Sequence, residues 1–220
     1  MEELLSRSAL LRQAILSTVD HPLAEDSPRM LESMDAALLS LEHADALRTL
    51  LQADKASSAM ALMRCQYGAF TRSVWILHCA ADEQVELLCL PSAAGTSEQG
   101  LPMLSKMLEA FAKVADLDNL LPHLIELKDH AWAPLNSFVH AGVHAMSRSR
   151  DGFPMPLAIN VMRMSNNLSM MAGQHLAILT DVPHLQKKAL RLNETYAECL
   201  LFDEDRHRAV RADASSEQSS

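Results

Sequence analysis

Four side chains able to bind a ligand or move a proton recur at four-residue intervals in this 220-residue chain: Asn136, His140, His144 and Arg148. They lie within Leu135 to Arg150, LNSFVHAGVHAMSRSR, a stretch that reads as helical. At about 100° per residue the four form one slowly drifting polar stripe. Phe138, Val139, Val143 and Met146 give the same segment an apolar face. Gly142, in mid-segment, lets another backbone come close, at a cost of roughly 1 kcal/mol relative to Ala in a helix interior. Asn136, His140, His144 and Arg148 are therefore the candidate ligand-binding residues.

Two further stripes carry chemistry. In the first, Arg64, Arg72, Trp75, His78 and Asp82 stand among apolar neighbours, and His78 and Asp82 are one helical turn apart. A carboxylate so placed can orient and charge the imidazole. In the second, Asn160, Arg163, Asn167 and Gln174 share one face of a Met-rich segment. If the three stripes meet, the protein holds a polar network of His, Asn and Arg. Such a network is equally what folding requires, because buried polar groups are paired whether or not they act. The Asn seam can also serve to fix helix register, and the methionines to fill an adaptable core.

His140 and His144 at i and i+4 could ligate one metal ion, with His78 as a third nitrogen. However, Ala141 stands where the HExxH motif of a zincin needs Glu, and the chain lacks the Glu-x-x-His pairs of di-iron bundles. What is left is a three-His site similar to that of DinB-like metal-dependent bundle enzymes. The expectation is no metal and no cofactor. Arg72-Ser-Val-Trp-Ile-Leu-His78 resembles the Arg-x(4–6)-His pattern of HEPN ribonucleases. That resemblance implies His and Arg acting on a scissile phosphate in a dimer cleft, in stress or phage defence. Arg72, His78, His140 and Arg148 are the catalytic candidates. No Gly-x-Ser-x-Gly and no phosphate-cradling glycine loop is present.

Asn136-Ser-Phe-Val-His140-Ala-Gly142, followed by Arg148, also resembles a motif of uncharacterised all-helical bacterial proteins. In these, Asn, a His-Gly-Gly and a following Arg recur after a Trp-containing helix. Trp132 and the segment Arg64 to Asp82 are similar to that pattern, while Ala141 departs from the glycine. The resemblance implies bacterial origin and a single helical domain, and it points to Asn136, His140 and Arg148.

The elements that must position these residues are helices. Apolar residues make up 49% of the chain, aromatics only 4%, and 6 Gly and 9 Pro leave little room for a turn-rich β architecture. Helical spacing runs from Glu2 to Val19. Ser27-Pro28 starts a second helix that reaches Ala53, with Met30, Leu31, Met34, Leu38, Leu41 and Leu47 facing inward. Lys55 to Leu90 reads as one long central helix or two nearly continuous ones. Pro91 to Gly100 is a loop, Pro102 to Ala115 a short helix, and Pro134 should kink or divide the helix that begins at Leu121. Ser147 to Pro156 reads as a second loop. Leu157 to Thr180 is helical, and a last helix runs from Asp181 to about Phe202. The expected fold is all-α, a single-domain bundle of about six to eight helices over residues 1–205. A charged, serine-rich tail at 206–220 is expected to be disordered.

The formal net charge of −9 opposes general nucleic-acid or anionic-membrane binding. No stretch approaches the ~20 apolar residues of a membrane span. The four cysteines contain no Cys-x-x-Cys pair, and read as reduced, mostly buried thiols of a cytoplasmic protein. The expected function is a bacterial interaction or regulatory module, with a homodimer or another protein as partner.

Overall fold

A computed structural model of the chain describes residues 1–90 and 100–201, without the side chain of His130. Among these residues the chain is all α-helical, with no strand. The helices are α1 (Glu2–Val19), α2 (Pro28–Gln52), α3 (Ala56–His78), α4 (Asp82–Leu88) and α5 (Leu104–Phe111). After a 3-10 turn at Ala115–Leu117 come α6 (Leu121–Val139), α7 (Val143–Asp151), α8 (Met155–Leu179) and α9 (Pro183–Thr195), then a 3-10 turn at Ala197–Cys199. Nine α-helices thus stand where six to eight were expected: Lys55 to Leu90 takes the two-helix form, as α3 and α4, and the stretch from Leu135 to Arg150 is split between α6 and α7. The expected loop at Pro91 to Gly100 and the tail at 206–220 lie almost wholly outside the described residues.

Helix α3 is the central element. It buries Met60, Met63, Tyr67, Phe70, Val74 and Ile76 on several sides and packs on α2, α5, α6 and α8. Its partner α2 begins as its sequence dictates. Ser27 Oγ accepts from the Met30 N–H at 3.4 Å, and Pro28 fills the first position, where a missing N–H costs nothing. The two helices run antiparallel. Ser33, Ala37, Ser40 and Ala44 recur every three or four residues on α2 and are all buried. Ser33 Oγ donates to the Ser73 carbonyl at 2.9 Å, and Ser40 Oγ to the Gln66 carbonyl at 3.0 Å. This seam of small residues displaces two of the leucines expected inside: Leu31 and Leu38 are exposed. Small side chains bring the backbones close enough for those bonds, and the leucines fall on the outer face.

Helix α8 closes the other side. Gly173 is a point of near contact with α1, since a Cβ there would stand 2.7 Å from Ile15 Cγ2. Asn167 holds the end of the described chain by exchanging two hydrogen bonds with the Leu201 backbone, at 2.9 and 3.0 Å.

Pro134, expected to kink or divide its helix, lies inside an undivided α6. Three expectations are corrected. The loop read over Ser147 to Pro156 is mostly helix, because α7 continues to Asp151 and only residues 152–154 link it to α8. Helix α3 ends at His78, so Asp82 is not one turn along the same helix; it opens α4 and accepts from Arg29 Nη2 at 2.7 Å. The same Arg29 donates through Nη1 to the Ile76 carbonyl at 2.6 Å, which ties down the last turn of α3. Finally, Cys65 and Cys89 are exposed and only Cys199 is fully buried.

Candidate functional site

The stripe from Asn136 to Arg148 is not one helical face. Helix α6 stops at Val139, His140 caps it, and Ala141 takes a positive φ of 51°. Gly142 then caps the start of α7 in extended backbone. Ser137 organises this elbow. Its carbonyl accepts from the Gly142 N–H at 2.7 Å, and its Oγ accepts from the His144 N–H at 3.0 Å. A Cβ on residue 142 would stand 2.7 Å from Ser137 Oγ and 3.3 Å from Ser137 Cα, so the turn requires glycine by contact. The close approach anticipated at Gly142 is real, but it closes a turn instead of admitting a neighbouring helix.

The elbow separates the candidates. His140 and His144 are exposed on either side of the turn, so the helical i, i+4 geometry assumed for two metal ligands is absent. Asn136 is half-buried on α6, and its Oδ1 is sealed from solvent with no hydrogen-bond partner. Arg148 is half-buried on α7. Helix α7 buries none of its residues, and it presents Val143 at 81% and Met146 at 56% exposure.

A second arrangement joins α3 to α6. The Arg64 guanidinium lies over the Trp132 ring, 4.8 Å from its centroid. Trp132 in turn meets Tyr67 edge-on at 5.7 Å, and Tyr67 Oη donates to the Leu124 carbonyl at 2.7 Å. Burial holds the Tyr67 phenol above its ordinary pKa, so it remains a donor. Arg64 Nε is buried without a hydrogen-bond partner.

The third arrangement surrounds His78, the last residue of α3. Burial lowers its pKa, partly opposed by the negative charge of Asp116. Arg72 precedes it by six residues on the same helix, which sets the two side chains roughly 120° apart around the axis. The His78 ring is instead 6.5 Å from the ring of His175, a residue the sequence stripes passed over. His175 is enclosed among Phe70, Ser33 and His78. Its Nε2 lies 2.9 Å from Ser33 Oγ. The single Ser33 hydroxyl hydrogen goes to the Ser73 carbonyl, so His175 Nε2 is the donor. Burial, and then the charge of His78, push the His175 pKa down to about 3. The signal was available: Leu168, Ala172, His175, Leu176 and Leu179 share the buried face of α8 at helical spacing.

Gln66 and Ser165 form a second closed pair. Gln66 Nε2 donates to the Ser165 carbonyl at 2.8 Å, and Ser165 Oγ donates back to Gln66 Oε1 at 2.6 Å. These pairings serve packing. In the seam of Asn160, Arg163, Asn167 and Gln174, Asn167 joins a network, that of the chain end. Among the described residues no three His, Cys, Asp or Glu side chains are grouped to hold a metal ion.

A family model described as a family of unknown function, DUF6988, matches residues 37–202. The match covers α3, α6, α7 and α8 whole, and so every candidate residue above. No curated protein and no solved structure matches the chain.

Proposed function

The chain belongs to the DUF6988 family, and from that premise we propose that it is an interaction module that self-associates through the elbow of α6 and α7. The observation that carries this reading is that no residue of α7 is fully buried in its own chain while Val143 and Met146 stand uncovered. Val139, also exposed, extends the same apolar patch onto the end of α6. A helix retained in a fold to which it contributes no core has its apolar side chains left for another surface.

Charge selects a second copy of the chain as the occupant. At net −9 two copies repel each other over most of their surface. The elbow carries Arg148 and Arg150 against the single acid Asp151, so it lacks the negative excess of the chain as a whole. A two-fold contact would set each elbow against its copy. The four free cysteines, two of them exposed, suit a reducing compartment, and the reading places the protein in a bacterial cytoplasm.

The test is the mass in solution, by light scattering over a dilution series, of the wild type and of Val143→Glu/Met146→Glu. Both positions are exposed, so the variant should fold with unchanged helical circular dichroism. The wild type is expected as a dimer and the variant as a monomer. A wild-type monomer at every concentration, or a dimer that survives both substitutions, overturns the proposal.

A further inference from the structure

We infer that the cleft between α1, α2 and α8 binds a short aliphatic monocarboxylate, with Arg12 and Arg48 taking its charge. The site shares no residue with the elbow contact proposed above.

The cleft has about 260 Å³ of empty space, and Arg12, Asp45 and Arg48 line it together with Leu11, Ala44 and Met162. The last three are buried and give it an apolar wall. The side chains of Arg12 and Asp45 are 36% and 37% exposed, so the charged end reaches solvent.

The charges in the cleft do not balance. Arg48 donates to Asp45 Oδ1 through Nε at 3.3 Å and through Nη2 at 2.8 Å. Arg12 Nε stands 3.9 Å from the same oxygen, beyond hydrogen-bond reach. It is itself buried with no hydrogen-bond partner. Among the described residues no second acid pairs with either arginine. Two guanidiniums thus gather on one carboxylate oxygen, and the cleft keeps a positive charge on a chain of net −9. A guanidinium so placed gains by pairing with an incoming anion.

The surroundings select the anion. A carboxylate meets a guanidinium with two parallel N–H···O bonds. Asp45 already supplies one negative charge, so an anion of charge −1 neutralises the two arginines. A dianion such as phosphate would meet repulsion from Asp45. The wall of Leu11, Ala44 and Met162 suits a hydrocarbon chain. The space is smaller than the ~300 Å³ at which drug-sized ligand pockets begin, which fits a chain of about four to six carbons.

NMR titration of the isotope-labelled full-length protein tests this with pentanoate, pentanol and inorganic phosphate at one ionic strength. Saturable shifts centred on Arg12 and Arg48 are expected with pentanoate. Pentanol and phosphate should bind at least about tenfold more weakly, the equivalent of one lost charge-assisted hydrogen bond. Arg12→Met, which keeps the hydrocarbon stem, should weaken pentanoate by about tenfold or more. Asp45→Asn should tighten it, because the change frees Arg48 and removes the competing charge; an ion pair that served stability alone would give no such gain. A partly exposed ion pair adds little to stability, so both variants should keep the helical circular dichroism of the wild type. Pentanol or phosphate equal to pentanoate, an Arg12→Met protein equal to wild type, no tightening in Asp45→Asn, or no saturable binding overturns the inference.

Discussion

Ser33 Oγ accepts a hydrogen bond from His175 Nε2 across 2.9 Å, in a niche between α2, α3 and α8 that solvent does not enter. The relationship makes stability depend on pH with a definite sign. An unfolded histidine titrates at about 6.5, whereas folded His175 takes its proton only at about 3. Above the unfolded value both states are neutral, and the niche contributes fully. As pH falls below it, the unfolded chain binds a proton that the folded chain refuses. Stability then falls by up to about 1.4 kcal/mol per pH unit until the folded pKa is reached. Urea unfolding between pH 7.5 and 4.5 should show this loss in the wild type. His175→Gln, which keeps a donor for Ser33, should lose less over the same range. Equal slopes for the two proteins would contradict the assignment.

The two helical glycines should respond to alanine in opposite directions. At Gly173 the added methyl meets Ile15 Cγ2 at 2.7 Å, and Ile15 is buried and β-branched, so it cannot turn aside. Overpacking of roughly 1–3 kcal/mol exceeds the ~1 kcal/mol gain in helix propensity, for a net loss of about 1 kcal/mol. At Gly68 a Cβ meets nothing within 4 Å, so Gly68→Ala should stabilise α3 by up to about 1 kcal/mol. Melting temperatures of the two variants on opposite sides of the wild type are the expected result.

What the sequence allowed follows from the same physics. Helix α1, the start of α2 at Ser27-Pro28 and the start of α6 with Pro122 in its first turn were legible, since caps and apolar period act locally. The elbow was not. Residues on both sides of it favour helix, and the break turns on one alanine at positive φ, a strain of roughly 1–2 kcal/mol that distant contacts can outweigh. The end of α3 at His78 is similar, with no Gly or Pro from Cys79 to Asp82 to announce it. The α2 seam and the Ser33–His175 niche were hidden for another reason: serine and histidine carry no weight in a search for apolar periodicity. Of the candidate site, Asn136 and the Arg64–Trp132 pairing were within reach, and Ser137, which shapes the elbow, was not.

Arg72 and His78 decide the ribonuclease alternative. For a scissile phosphate to be held between them, both side chains must face one groove, yet they lie roughly 120° apart on α3. His78 faces His175, and the acid expected to orient it, Asp82, is 92% exposed and held by Arg29. A net charge of −9 further opposes an RNA backbone. His78→Ala is therefore expected to lower stability by roughly 1–3 kcal/mol through lost packing, with wild type and variant alike leaving a structured RNA and a single-stranded RNA intact. A histidine acting as general acid or base contributes ~10²–10⁴-fold, so a catalytic role would show clearly. Cleavage by the wild type, lost in a His78→Ala protein that still melts cooperatively, would replace this reading with the enzymatic one.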